Sequence, residues 1–552
     1  MKRSMRYVGA LIALSAAVGL SSCSGTTSTS SGATGTTGST GSSTSSTIIE
    51  AVPSLPTSYA YDAGDFSYAG FELQINTNSQ LIQNPIETTS GGGQQESLFK
   101  FQGELATSYD VSTDGLTYTF HLRQGVKSAQ GNPLTADDVV WTYERKFSKD
   151  GGVTPFINYP AITDPAKQIK KIDASTVSFT VPATGDGFTL LALLANVSAD
   201  IYDSTYLKSK ASADDPYAVK WSAANGNYGF GAYDLSSFTA GQQLVLKANA
   251  NYYGGAPKIQ TVIQKVVADP GQRASLLANG SVDIAVQLRP SDIKSLQGNS
   301  SVSTFKGLDT VNYTNLDLNV TTGTFSKLAI RQALKYAIPY DQINTNVYNG
   351  QLTAMKGFIN PRYPGADLDG LSAGTYDPAK SKSILAAAGI TTPVSFTLLV
   401  NTAIPDLGQV AVQMQSAGSA AGFDIKLQNE PSAAFSDATG NHKYEAALVH
   451  DGSISQAPPY ELMLAYTKDS PLNTTGWTDQ AYYDLVNKGI DAGDALSAAA
   501  GKFWNQAQLE WQTQTPSIPM GFIQPLLAVR SDVKGYYYRT EQAIDFAHIS
   551  KG

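Results

Sequence analysis

Gly370-Leu371-Ser372-Ala373-Gly374 has the Gly-x-Ser-x-Gly spacing of a nucleophile elbow, in which a serine on a sharp turn is activated for acyl transfer. That chemistry needs a strand before the serine and a helix after it. Here the pentapeptide lies in a Gly- and Asp-rich stretch between Pro364 and Pro378, and the next helix signal begins only at Asp377. A secreted serine hydrolase is therefore a remote reading. The carboxylate pairs Asp137-Asp138 and Asp214-Asp215 are neighbours in sequence, and adjacent residues on a helix do not face each other. Capping and the helix dipole account for the first pair. The four histidines (His121, His442, His450, His548) show no i,i+4 spacing and have no cysteine partners, so no protein-built metal cage is expected. No Gly-rich phosphate loop is present, and no cofactor is expected. The chemistry that remains is binding.

The elements that would position a binding site read as mixed α/β. Thr117-Tyr118-Thr119-Phe120-His121-Leu122 alternates with period two after the Asp114-Gly115 turn, a hairpin-strand signal. Thr135-Ala136-Asp137-Asp138 is a capping box, and Val139, Val140, Tyr143 and Phe147 follow along one helix face. Asp377-Pro378 opens another helix, with Asp as N-cap and Pro at the first helical position, and Gly389 is placed to end it. Phe325 to Ile338 reads as an amphipathic helix that Pro339 interrupts. Strand-like runs at Gln243–Lys247, Thr261–Val267, Val394–Val400, Asp424–Leu427 and Ala446–His450 alternate with these helices, without an internal repeat.

Composition narrows the class. Net charge is −8 and charged residues are only 15%, against a typical roughly 25%. That balance excludes a nucleic-acid surface, which needs clustered Lys and Arg. At the N-terminus, Lys2, Arg3 and Arg6 precede the apolar run Val8 to Leu20, the pattern of a secretory signal over residues 1–22. Cys23 follows Leu20-Ser21-Ser22, where a lipobox places the residue that becomes an acylated N-terminus, and it is the only cysteine. Residues 23–47 are then a lipidated cysteine and a Ser/Thr/Gly stalk expected to stay disordered. A coil of that composition spans roughly 25–30 Å. After the signal no apolar run approaches the roughly 20 residues that span a bilayer. An exported body, lipid-anchored to the outer face of a bacterial cytoplasmic membrane, is expected.

Five segments in order carry a resemblance. They are Glu104 to Val139, containing Asp114-Gly115-Leu116-Thr117-Tyr118-Thr119-Phe120 and Gly131-Asn132-Pro133-Leu134-Thr135-Ala136-Asp137-Asp138; Gly229-Phe230-Gly231-Ala232-Tyr233, leading to Asn251-Tyr252-Tyr253-Gly254-Gly255; Leu276 to Ile284; Ile330 to Ile338; and Tyr376 to Gly389. Together they resemble the extracellular solute-binding proteins of family 5, the oligopeptide-, dipeptide- and nickel-binding components of ABC importers. Ser128-Ala129-Gln130 and Pro339 depart from the family pattern.

The resemblance implies an α/β, two-lobed, periplasmic-binding-protein-like fold of the type II, Venus-flytrap kind, with an extra subdomain in lobe I. Lobe I is placed at residues 48–310 with the subdomain at about 85–225, lobe II at 311–514, and residues 515–552 return to lobe I. The expected crossings are Thr310 to Asn315 and Ser517 to Phe522. The resemblance further implies no enzyme but a monomeric receptor that closes on a peptide or other small polar ligand and passes it to ABC permease subunits. A signal-peptide or oligosaccharide receptor on the same scaffold is the alternative. Family members seat ligand at the end of the first strand, near the crossings and on a second-lobe segment, which gives the candidates Ser54, Tyr59, Tyr313, Asn315, His450, Asp451, Tyr460 and Trp477. Asp451 would hold a peptide amine by a charge-assisted hydrogen bond, or be a solvated loop carboxylate. The family's second acidic residue and its Asp-Pro are missing after Asp451. Trp477 would stack on ligand or pack beneath its loop. His450 would touch a metal chelate, were that the ligand.

Overall fold

The computed structural model describes residues 46–452, 454–468 and 470–552. Cys23, the signal segment and nearly all of the stalk lie outside the described residues.

The strand Thr47–Val52 is rich in β-branched residues and sits centrally in a seven-stranded mixed sheet. It runs parallel to Thr261–Val266, from Thr47 opposite Thr261 to Val52 opposite Val266. The sheet order is Tyr233–Thr239, Gln243–Ala248, Thr261–Val266, Thr47–Val52, Ile284–Ala285, Ala528–Arg530, Val302–Thr304. Period-two alternation sends Ile48 and Val52 into one apolar core and Ala51 into another on the opposite face. Glu50 is directed to the same face as Ile48 and is fully buried. It meets Glu72 of the helix Tyr68–Thr77 through Gln264, whose Nε2 donates to both carboxyls.

A second, five-stranded sheet has the order Phe423–Glu430, Val394–Asn401, Ala446–Gly452, Asn312–Leu318, Ser517–Phe522. The first three strands are parallel, while Asn312–Leu318 is antiparallel to both of its neighbours. Helices Leu328–Lys335 and Pro405–Gly418 bury their apolar sides in the core on one face of this sheet. The amphipathic stretch read from Phe325 onward is helical only over Leu328–Lys335, and Pro339 stands just before a separate helix, Tyr340–Asn346.

A four-stranded antiparallel sheet forms from Ala106–Val111, Thr117–Leu122, Thr176–Thr180 and Ile169–Asp173, paired in that order. Tyr118, Phe120 and Leu122 point inward, as the alternation requires. Gly115 turns the hairpin at φ +72°, a left-handed conformation that a Cβ would strain. The helix Ala136–Lys146 starts from the expected capping box, with the Thr135 N–H donating to Asp138 Oδ2 at 2.8 Å. Asp377 likewise caps Pro378–Ala387 by accepting the Lys380 N–H at 2.9 Å.

The chain passes from the first sheet to the second between Thr304 and Asn312 and returns between Phe522 and Ala528. Gln524 staples the two passages together. Its Oε1 accepts the Leu308 N–H at 3.1 Å, and its Nε2 donates to the Leu308 carbonyl at 3.0 Å. Residues Asn312 to Asn315 and Ser517 to Phe522, read from sequence as crossings, are adjacent strands of the second sheet. Gly370 to Gly374 lies in irregular chain, with the Ser372 N–H on Gln512 Oε1 at 3.3 Å. Among the described residues no strand lies between Leu318 and Val394, so none leads into Ser372 and the elbow geometry is not formed.

Candidate functional site

Strand pairing decides which side chains converge. In the antiparallel register Tyr313 stands opposite Asp451, Asn315 opposite Val449 and Asp317 opposite Ala447. Opposed residues share a face, so Tyr313, Asn315, Asp317 and Asp451 project to one side of the second sheet. The Tyr313 hydroxyl donates to Asp451 Oδ2 at 3.2 Å, and the Gly452 N–H donates to Asp451 Oδ1 at 2.8 Å. The Tyr313 ring is fixed by Phe358 at 6.1 Å and by the edge of Phe522 at 6.2 Å.

Asp451 combines two properties that rarely coincide. It is exposed to solvent, yet burial among surrounding protein pushes its carboxyl pKa up, against the two hydrogen bonds that pull it down. An ammonium brought there would meet an acceptor whose geometry is already set and whose charge is only partly screened. Behind it, Asp317 accepts from Thr474 Oγ1 at 2.7 Å and from Asn315 Nδ2 at 2.8 Å, and burial pushes its carboxyl up to about 7.

Tyr460, on the helix Pro458–Met463, reaches the other side of the molecule. It is buried in the same apolar cluster as Tyr61, Phe120 and Val139, and so joins the chain after the second sheet to the core around the four-stranded sheet. Burial raises its hydroxyl pKa most, followed by the nearby charges of Tyr61, Glu461 and Asp451. Tyr61 is held by its neighbour. Asp62 receives two bonds from Arg145, Nε at 2.6 Å and Nη2 at 2.7 Å, and Arg145 also donates to Ser222 Oγ at 2.6 Å. Both ionic side chains of that pair are fully buried.

The remaining sequence candidates are placed elsewhere. Trp477 is 6% exposed and packs edge-on against Tyr466 at 5.4 Å and Tyr482 at 5.0 Å, so it lies beneath its loop within an aromatic core. Asn315 is 2% exposed, turned to Asp317 inside the sheet's packed face. His450 alternates with Asp451 and so points to the opposite face, where its Nε2 is 2.7 Å from Asp406 Oδ2. Burial works to raise the Asp406 pKa, but His450 and the Tyr348 hydroxyl, at 2.8 Å, outweigh it and hold the carboxyl low. Ser54 is exposed beyond the first strand. Tyr59 packs edge-on against Phe238 at 5.5 Å on the first sheet's outer hairpin, and its carbonyl accepts from Gln74 Nε2 at 2.8 Å.

Two residues escaped the sequence reading. Asp317 was legible, because it continues the period-two face begun by Tyr313 and Asn315. Tyr61 had no local signal, since only the distant Asp62–Arg145 pair turns it toward Tyr460. Among the described residues no group of three His, Cys, Asp or Glu is placed to hold a metal ion, and no helix is long and apolar enough to cross a membrane.

The family model for bacterial extracellular solute-binding proteins, family 5 (middle region), matches residues 100–473. The chain is 25% identical over 452 residues to the dipeptide-binding protein of Escherichia coli, covering 78% of this chain and 83% of that one. It is 29% identical over 457 residues to the probable D,D-dipeptide-binding periplasmic protein DdpA of the same organism, covering 82% and 85%. The oligopeptide-binding protein AppA from Bacillus subtilis, solved in complex with a nonapeptide, superposes with TM-score 0.79 at 20% identity, over 92% of this chain and 99% of that one. That likeness establishes the two-lobed α/β fold. The family consists of proteins that bind solutes and are not enzymes. The chain belongs to the bacterial extracellular solute-binding proteins, family 5.

Proposed function

We propose that this protein is the capturing component of an ABC importer, closing on a short peptide or similarly sized polar solute and delivering it to a membrane permease. Residues 48–310 and 515–552 form one lobe and 311–514 the other, with the subdomain at about 85–225 inserted in the first. The observation that carries the reading is Asp451, an exposed carboxylate whose two oxygens are pre-set by the Tyr313 hydroxyl and the Gly452 N–H. It supplies the anchor a free amine needs. The names of the relatives, dipeptide-binding among them, support a peptide as the ligand class. The body acts as a monomer, tethered through an acylated Cys23 and its stalk to the outer face of the cytoplasmic membrane.

Closure follows from differential contact. A ligand that touches both lobes does so only in the closed arrangement, and so shifts the population toward it. The passages stapled by Gln524 to Leu308 are where such a hinge would bend.

A thermal-shift screen of the purified body against di- to penta-peptides tests the reading. A peptide at about 100 times its dissociation constant should stabilise by about 2.7 kcal/mol. No shift with any peptide but a clear one with an oligosaccharide would overturn it. Mass spectrometry of the membrane-extracted protein tests the tether: an acylated N-terminal Cys23 is expected, and a protein released intact into the soluble fraction contradicts it.

A further inference from the structure

The segment Asn360-Pro361-Arg362-Tyr363-Pro364-Gly365 has a proline on each side of Arg362-Tyr363, and each ring fixes its own φ. Local hydrogen bonds stiffen it further. Asn360 Oδ1 accepts the Arg362 N–H at 2.9 Å, and the Asn360 carbonyl accepts the Tyr363 N–H at 2.9 Å. The segment is fastened to the body that holds the second sheet. The Tyr363 hydroxyl donates to the Ala495 carbonyl at 2.7 Å, and the backbone packs so closely that a Cβ on Gly501 would collide with the Gly365 carbonyl oxygen. Gly501 belongs to the helix Ala498–Gln514, which leads into the strand Ser517–Phe522 of that sheet.

The two central side chains reach the other body. Arg362 Nη2 donates to Glu87 Oε1 at 3.0 Å, and its Nη1 donates to Asp309 Oδ2. Glu87 lies on the strand Ile86–Thr88, paired with Gln94–Glu96. That hairpin is tied to the chain beyond Ala528–Arg530 of the first sheet, the Glu96 N–H donating to the Tyr538 carbonyl at 2.9 Å. Asp309 sits in the passage from the first sheet to the second. The buried Tyr363 ring stands edge-on between Phe99 at 5.6 Å and Phe188 at 5.5 Å, the latter on the helix Gly187–Leu194.

One stiff dipeptide therefore carries an ionic fork and an aromatic wedge from one body into the other. Exposed ion pairs within a single body add little stability. A pair that spans two bodies does something more, because it exists in one arrangement only and biases the equilibrium toward it. We propose that Arg362 and Tyr363 form a latch between the lobes that holds part of the ligand-free chain closed and thereby sets how tightly a solute is captured. The inference rests on the two-lobed closure proposed above, but not on the chemical class of the solute. Apparent affinity falls with the fraction of chain that is binding-competent, so a weakened latch loosens capture without altering the choice among ligands.

Electron–electron distance measurement on the ligand-free full chain tests the proposal. Spin labels go at Lys170→Cys and Lys502→Cys, both exposed and on opposite sides of the latch, with Cys23→Ser so that only these sites react. A population at the short distance of this structure is expected in the parent. Arg362→Gln should raise the ratio of open to closed molecules about threefold or more, the scale of an exposed ion-pair network. Glu87→Gln with Asp309→Asn, made on the other body, should give the same shift, and adding Arg362→Gln to that pair should change nothing further. In 1 M salt, where the screening length falls to about 3 Å, the parent should move toward the Arg362→Gln distribution. The salt titration needs no latch variant and so decides the matter even if one folds poorly. A parent wholly at a longer distance, identical distributions in parent and Arg362→Gln, a triple variant more open than the double, or a salt-insensitive parent would each overturn it.

Discussion

The Tyr313 hydroxyl donates to Asp451 Oδ2 at 3.2 Å, across the antiparallel pair that sets both side chains on one face of the second sheet. That bond opposes the burial that raises the Asp451 carboxyl. Tyr313→Phe removes it, so Asp451 protonates at higher pH. Capture of an amine ligand should weaken about tenfold, and its acid limb should move to higher pH. Calorimetric titrations at a series of pH values measure both. An acid limb identical in the two proteins would show that Tyr313 does not tune Asp451.

Trp477 separates packing from recognition. Its ring is surrounded by Tyr466 and Tyr482, so Trp477→Ala should cost about 3–5 kcal/mol of stability by opening a cavity. Ligand affinity of the folded fraction should stay within about twofold of the parent. Denaturant unfolding and titration of the same sample decide it. A stable variant that loses its ligand would return Trp477 to the binding surface.

The Asp62–Arg145 pair is fully buried and locks the segment that carries Tyr61 to the helix Ala136–Lys146. Arg145→Ala leaves an unpaired buried carboxylate and should destabilise by about 3–5 kcal/mol. Replacing both partners by apolar residues of similar volume should recover most of that loss. Denaturant midpoints of the single and double variants check this. A double variant as unstable as Arg145→Ala alone would mean that the pair matters for packing rather than for charge.

Glu50 and Glu72 make stability depend on pH. Burial raises both carboxyls above the ordinary range, so the folded chain keeps protons that the unfolded chain would release. Their contribution is complete below the unfolded carboxylate range near about 4.3 and is lost as pH rises through the folded values. Glu96, pushed up to about 8, and Glu104, to about 7, act in the same direction, each chiefly through burial. Asp406 and Asp545 lie below the usual range, burial being outweighed by their histidine partners, and they act only on the acid side. The melting temperature should therefore fall between roughly pH 5 and 8, and fall less steeply in Glu50→Gln. Parallel profiles for the two proteins would contradict this.

The local part of this structure was open to reading from sequence, and the long-range part was not. Capping at Thr135 and Asp377 and the alternation of Thr117 to Leu122 depend on residues within a few positions, and all three appear as read. Asp451 was found through a motif, and the strand register now gives it a partner. His450 neighbours Asp451 in sequence, but its side chain is turned to Asp406. Two consecutive strand residues point to opposite faces, so it could not join Asp451. Tyr59 and Trp477 have their surroundings set differently. Each is an aromatic whose environment is set by distant chain, Phe238 for one and Tyr466 for the other, and periodicity does not report such pairings.

The most direct test of the account compares a free-amine dipeptide with its N-acetylated form on the parent protein and on Asp451→Asn, by calorimetry at neutral pH. The parent should prefer the free amine by at least about tenfold, as expected for one charge-assisted hydrogen bond. Asp451→Asn should lose most of that preference while binding the acetylated form almost unchanged. Equal loss of both ligands, or an undiminished preference for the free amine, would contradict Asp451 as the anchor.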